Sequence, residues 1–441
     1  MADTLARTLG TRDLTLLVVG NVIGSGIFLV PSSVLAQSGE SVPIATAVWL
    51  VGGILSLLGA LSYAELGAME GTGSGGGLYA FIRDGFGPFP AFLYGWTLFF
   101  VIGAGTIATL SVAAANYMTQ FMPMTAIQKD IVAVTLIVLM ATINVRGTRG
   151  SATVQNVATV IKVLAILGMS GVMFALGDGK SVVAAAHAVT PASVSGVGLS
   201  IISVLWAYEG WQYVTFISAE ATDPQRSLPR AIALGTVLLI VIYLIANFAY
   251  LAALGPAQVA ASNRVAGEAV AAVMGPAAGW VIAAAIIVSM YSAAHSTVIT
   301  VPRVYFAMAR DGLFFRRLTE VHPRFGTPAI AIVTSCVWAI VLALSGTFEQ
   351  LLTYVVFIGW IFYALGAAAV IALRIKKPDA KRPFRVPLYP FTPLLFVLAG
   401  TVIVLNTIVT QPVQSAIGIA VVLAGAPAYL IWRRRLRTRA T

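Results

Sequence analysis

Two short stretches of this chain place glycine and polar residues inside otherwise continuous apolar sequence: Gly24-Ser25-Gly26 and Tyr208-Glu209-Gly210-Trp211. In hydrocarbon an interrupted helix exposes N–H groups where one half begins and C=O groups where the other ends, and both need partners. A small zwitterion supplies them, its carboxylate on the N–H groups and its ammonium on the carbonyls. Taken alone, the first stretch could equally be a small-residue packing surface between helices. Ser25 and Glu209 lie 184 residues apart, however, and interruptions at matching positions of two repeats point to a transporter site near the bilayer midplane.

Other residues with chemistry to offer stand in the same apolar setting. Lys162 lies deep within VIKVLAIL, too far from either end to snorkel, so it needs a partner or a function: a structural tether or a proton carrier. Glu209 is either an anionic subsite for a cationic substrate such as arginine or a diamine, or a carboxylate favoured by the dipole of the next half-helix and turned away from substrate. Glu65 and Glu70, near one end of a span, form an inner-gate or a stabilising pair. His295 either lines the pocket or takes part in proton linkage, or is a hydrogen-bonded packing residue. Small residues such as Gly103 and Gly105 would widen the pocket. Histidines at 187, 295 and 322 are too scattered for a metal site, and Cys336, the single cysteine, has no intrachain disulfide partner. Gly71 to Gly76 spells G-x-G-x-x-G, but no βαβ unit surrounds it. No metal, no cofactor and no enzymatic activity are therefore expected, and no ring of charges suggests a channel.

The elements that must position these residues are membrane helices. The 441 residues are 59% hydrophobic and 10% charged, with a mean hydropathy of +0.92, so lipid is the solvent for most of the surface. Windows of roughly 19 residues give twelve apolar segments, from Leu14–Leu35 to Val413–Trp432. Numbering them puts 23 of the 27 basic residues on one side, while Lys129, Lys180 and Arg264 lie on the other and Lys162 lies within a span. By the positive-inside rule the basic side is cytoplasmic and holds both termini. Charges spread through loops in this way argue against nucleic-acid binding despite the net charge of +11. The first thirteen residues lack a signal-cleavage pattern, so the first span is expected to be retained. The sixth segment opens a second set of five as the first opens the first set. An odd-numbered unit must enter its duplicate from the opposite face, giving inverted repeats over 14–176 and 197–375, with helices 11 and 12 (392–432) outside. The arginine- and alanine-rich, lysine-poor composition suggests a bacterial inner membrane.

With these residues in view, the chain resembles the amino acid/polyamine/organocation transporter superfamily and, within it, the L-type amino acid transporter branch. The landmarks are VVGNVIGSGIF (Val18–Phe28), SYAELG (Ser62–Gly67), WAYEGW (Trp206–Trp211), AEATDPQRSLPRAI (Ala219–Ile232) and PFRVPLYP (Pro383–Pro390), and GSGGGLYAF (Gly73–Phe81) resembles the family's glycine-rich segment between helices 2 and 3. The resemblance implies an all-α LeuT-like fold of about twelve transmembrane helices. It also implies that Ser25 and Gly26 offer N–H groups to a substrate carboxylate, with Gly24 permitting the turn. Carbonyls of Val22 or Ile23 and of Trp206 or Ala207 would receive the α-ammonium, the Trp206 ring would act as a gate, and Trp360 would line the pocket. Lys162 would stand where sodium-coupled relatives hold an ion between helices 1 and 8. These expectations amount to a sodium-independent amino acid exchanger working by alternating access, with a proton-coupled amino acid or polyamine symporter as the alternative. The expected partners are a small amino acid and the bilayer; neither side-chain specificity nor a protein partner can be read from these residues.

Overall fold

The computed structural model describes residues 5–69, 75–179, 191–345 and 348–440, and for 194, 348–357 and 435–440 the backbone alone. Among the described residues the chain is helical throughout, with a single parallel β-bridge between Leu9 and Ala221. In order the helices are α1 (Thr11–Val22), α2 (Gly26–Gln37), α3 (Val42–Ala68), α4 (Leu78–Phe86), α5 (Pro88–Met118), α6 (Ala126–Val145), α7 (Thr148–Leu176) and α8 (Val194–Ala207). Then come α9 (Pro224–Leu254), α10 (Pro256–Ala261), α11 (Val265–Met274), α12 (Ala278–Arg310), α13 (Ala329–Leu344), α14 (Phe348–Lys376), α15 (Phe391–Thr410), α16 (Pro412–Leu423) and α17 (Gly425–Ala440).

Nine of the described helical stretches are long and apolar enough to cross a membrane. The pair α1 and α2, bent by 49°, adds a tenth. The shorter α13, and α8 with the 3-10 run Trp211–Glu220 after it, bring the number to the expected twelve. Large apolar side chains such as Leu164, Leu398 and Val409 stay exposed along these helices, as a lipid-facing belt requires.

Both anticipated interruptions are real. Between α1 and α2 the chain leaves helical geometry at Ile23 (φ −72°, ψ 91°). After α8 it turns through Gly210 at φ +123°, a region open to glycine, where a Cβ would also stand 3.1 Å from the Asn21 carbonyl. The second interruption departs from expectation on its far side. Instead of an α half-helix the chain continues as the 3-10 run Trp211–Glu220.

A third irregularity left no sign in the sequence. Residues Leu98–Gly103 of α5 form a π-helix, which frees carbonyls from the regular ladder. Tyr305 donates to the Leu98 carbonyl at 3.0 Å and Trp338 to that of Phe100 at 3.0 Å. A Cβ at Gly103 would lie 2.8 Å from the Tyr305 hydroxyl and 2.6 Å from Val301. Gly103 thus admits α12 to this bulge and does not widen a pocket. Short α4, α10 and α11 were also unforeseen, being too brief for a span-sized window. In the glycine-rich segment, Gly75, Gly76 and Gly77 all have positive φ, and a Cβ at Gly77 would overlap the Thr215 hydroxyl. Residues 70–74, Glu70 among them, lie outside the described residues, as do Lys180 and His187.

Candidate functional site

The two interruptions meet. A Cβ on Gly26 would lie 3.0 Å from Cα of Ala207, so the start of α2 rests directly on the end of α8. Around this contact is a cavity of about 280 Å³. Its walls are Asn21, Val22, Gly24–Gly26 and Leu29 from the first broken span, and Trp206, Ala207, Glu209, Gly210 and Tyr213 from the second. Thr106, Thr109, Leu110, Ala113 and Tyr117 of α5 and Met290, Ala293 and Thr297 of α12 complete them. From the breaks the cavity extends along Leu29, Ala113 and Tyr117, away from the side that carries the termini.

The wall presents both kinds of main-chain end. α2 starts at Gly26 with Ser25 as N-cap and no side-chain cap hydrogen bond, which leaves its first N–H groups and positive dipole end available to an anion. The carbonyls are more committed than expected. Lys162, 1% exposed, donates from Nζ to Gly20 O at 2.7 Å and to Ile23 O at 2.6 Å. Ser289 of α12 adds hydrogen bonds to Ile23 O at 3.2 Å and Gly24 O at 2.9 Å. The Tyr243 hydroxyl of α9 reaches Ala207 O at 3.0 Å and Val22 O at 3.2 Å, while Val22 O also accepts from Gly24 N–H at 2.8 Å and Trp206 O from Glu209 N–H at 3.1 Å. A carbonyl has two lone pairs. That of Ile23 is filled by Lys162 and Ser289 and that of Val22 by Tyr243 and the Gly24 N–H, and Ile23 does not line the cavity. Ala207 O retains open capacity.

Glu209 does line the cavity, and its Oε1 accepts a 2.5 Å hydrogen bond from the Tyr363 hydroxyl of α14. Trp206 lines it as well, half-buried. Trp360 does not: its ring packs 5.6 Å from Phe396 of α15 and 6.0 Å from Tyr363. Gly103 and Gly105 are likewise absent from the wall, and Thr106 and Thr109 of the same helix take that place. His295 packs between α7 and α12, with Nδ1 3.3 Å from Gln155 Oε1 and its ring stacked on Tyr291, and is not in the wall.

On the side of the termini the bundle is closed by ion pairs that tie separate spans together. Arg303 Nε meets Glu220 Oε1 at 2.7 Å, with side chains 2% and 0% exposed. Thr148, at the start of α7, donates to Glu220 and accepts from Arg303 Nη2 at 3.1 Å. Asp13 of α1 is held by Arg149 at 2.6 Å, Asn156 at 2.7 Å and Gly10 N–H at 3.0 Å. Asp311 takes Arg83 at 2.7 Å and Tyr79 at 2.8 Å. Glu65, 1% exposed, accepts two hydrogen bonds from Arg374 (2.9 and 2.7 Å) and one from Val386 N–H at 2.7 Å. It fastens α3 to the end of α14 and to the PFRVPLYP linker. Arg303, counted by sequence among the loop cations, is in fact buried inside the long α12.

Sequence reasoning missed Tyr243, Ser289, Tyr213, Thr106 and the Glu220–Arg303–Thr148 cluster. Hydroxyls in apolar spans carry no periodic sign of what they face. Glu220 is the exception, since it stands within the AEATDPQ motif.

Comparison with known proteins agrees with this architecture. The amino acid permease family model matches residues 9–427. The serine/threonine exchanger SteT of Bacillus subtilis (strain 168) is 32% identical over 438 residues, covering 98% of each chain. The b(0,+)-type amino acid transporter 1 of Mus musculus is 32% identical over 416 residues, covering 93% of this chain and 84% of its own. The human cystine/glutamate transporter is 32% identical over 444 residues, covering 97% and 87%. A bundle of membrane-spanning helices, two of them broken around one shared cavity, together with these matches along nearly the whole length, places the chain in the amino acid permease family of membrane transporters.

Proposed function

We propose that this permease is a sodium-independent amino acid exchanger that works by alternating access, in the state open to the side opposite its termini. The observation that carries this reading is the Lys162 ammonium on the Gly20 and Ile23 carbonyls: a cation built into the chain meets the dipoles that an added metal ion would otherwise have to satisfy. In this reading the substrate carboxylate lies on the N–H groups of Ser25 and Gly26, with Gly24 allowing the turn. The α-ammonium lies near the Ala207 carbonyl and the Glu209 side of the cavity. Trp206 covers the bound molecule. Helices over 14–176 and 197–375 act as inverted repeats, with 392–432 outside them. The broken span of each repeat rocks against α5 and α12, and the ion-pair layer opens when the other side closes. The termini are cytoplasmic and the membrane is the cytoplasmic one, on the strength of the basic loops. SteT, similar along nearly the whole chain, is an exchanger by name, and that supports exchange.

The test is uptake of labelled amino acids into proteoliposomes. Uptake stimulated by unlabelled amino acid inside the vesicles, and indifferent to sodium and to a pH gradient, is expected. Accumulation into empty vesicles driven by an inward proton gradient would sink exchange in favour of symport.

Glu209 gives a second handle. A carboxylate on the cavity wall favours a substrate whose side chain brings a positive charge, and a charge-assisted hydrogen bond contributes about 1.5–3 kcal/mol. Glu209→Gln keeps the shape and a hydrogen-bond acceptor for Tyr363. It is expected to reduce kcat/KM for cationic amino acids by about tenfold or more and to spare small neutral ones. An unchanged ratio between the two classes, measured by competition uptake, rejects a charge-reading role.

A further inference from the structure

Far from the cavity, an aromatic clamp gathers positive charge at one point on the side of the termini. The Trp432 ring of α17 is stacked 5.7 Å from Phe314, stands edge-on 5.2 Å from Phe315 and lies 6.0 Å from Phe92 of α5. Phe315 caps the 3-10 turn Arg316–Thr319, and Trp432 leads directly into Arg433 and Arg434. Two basic segments more than a hundred residues apart in sequence therefore reach the same surface, and Arg435, Arg437 and Arg439 come next in the chain.

Three of these arginines differ from the others on this side. Arg83, Arg149, Arg303, Arg374 and Arg382 all have carboxylate partners. Arg316, Arg317 and Arg433 are exposed, and among the described residues no ion pair holds any of the three. Glu320 stands at the end of the same turn, and Asp311, just before it, is already taken by Arg83 and Tyr79. Packing thus holds like charges together and leaves these three short of anions. Beside them Phe315, Leu430 and Ile431 are 56%, 54% and 53% exposed, at the end of a helix that crosses the membrane. Guanidinium forks match phosphate geometry, and apolar side chains at that level meet acyl chains.

We propose that this clamp is a binding site for an anionic phospholipid, whose phosphate the arginines hold and whose acyl chains lie on Leu430, Ile431 and Phe315. It is independent of the substrate cavity and does not rest on the exchange reading. The ligand class follows from charge and position together: basic clusters at the end of a span attract anionic headgroups.

The full-length protein is equilibrated with equal amounts of phosphatidylcholine and phosphatidylglycerol of matched chains, and retained lipid is counted by native mass spectrometry. Wild type is expected to keep phosphatidylglycerol preferentially. Arg316→Gln, Arg317→Gln and Arg433→Gln combined should cut that preference about tenfold or more, with the thermal unfolding midpoint in lipid-free detergent unchanged. Trp432→Ala retains every arginine but releases one segment, and an intermediate loss is expected. The proposal is overturned by equal retention of the two lipids by wild type, or by a triple variant with the wild-type preference. Displacement of the retained lipid by millimolar inorganic phosphate alone would also overturn it, because it would mean a small-anion site without acyl contacts.

Discussion

Methionine in place of Lys162 is expected to abolish amino acid exchange while the protein still reaches the membrane. The change keeps the length of the unbranched stem and removes the ammonium, leaving Gly20 O without its 2.7 Å donor and Ile23 O with Ser289 alone. Each charge-assisted hydrogen bond contributes about 1.5–3 kcal/mol, and a buried carbonyl left without a partner costs a further 1–3 kcal/mol. A combined loss on the order of 4 kcal/mol or more corresponds to a fall of about a thousandfold or more in the population of the geometry at Ile23–Ser25, on which the exposed N–H groups of α2 depend. Exchange into preloaded proteoliposomes measures the effect, with thermal unfolding in detergent as the companion readout. Wild-type exchange by Lys162→Met would remove the tether from the mechanism.

Arg303→Met is expected to have a comparable effect for a different reason. It leaves the Glu220 carboxylate fully buried with Thr148 as its remaining side-chain donor, and stranding one member of a buried pair costs about 3–5 kcal/mol. Losing both members is a different matter: converting both residues to apolar ones removes the stranded charge as well as the attraction. Arg303→Met combined with Glu220→Met is therefore expected to recover much of the thermal stability lost by Arg303→Met. Its exchange is expected to remain impaired, because the polar contacts that join α7, α12 and the 3-10 run would be gone. A double variant no more stable than the single one would show that the pair acts through something other than its buried charge.

What could be read from sequence was whatever left a chemical mark in an apolar background. The interruptions at 24–26 and 208–211 were visible because clustered glycines and polar residues break an apolar run and a carboxylate is costly in a membrane span, and Lys162 was visible because its charge is costly there too. Tyr243 and Ser289 were not, although they satisfy the carbonyls next to the cavity. A lone hydroxyl in a span looks the same whether it bonds its own helix or the carbonyl of another, and Tyr243 lies more than 200 residues from Val22. Trp360, Gly103 and Gly105 were misplaced because the direction a residue faces around a helix is set by its neighbours. Trp360 turns to Phe396, and the π-helical run rotates the face that Gly103 would otherwise present. Arg303 was misread because α12 extends over 33 residues and carries a charge past the depth at which charges normally reach water.

The ammonium fastened to the first broken span has a thermodynamic corollary. A cation that is covalently part of its carrier comes back to its starting point at the end of every turnover, so while it keeps its proton it moves no net charge and dissipates no salt gradient. When neutral amino acids are traded for one another, membrane voltage therefore has nothing in it to push on. The only driving force left is the ratio of solute on the two sides, about 1.4 kcal/mol for each tenfold difference. Such a protein can trade one pool against another, and any steep accumulation must originate in a different, energised pump.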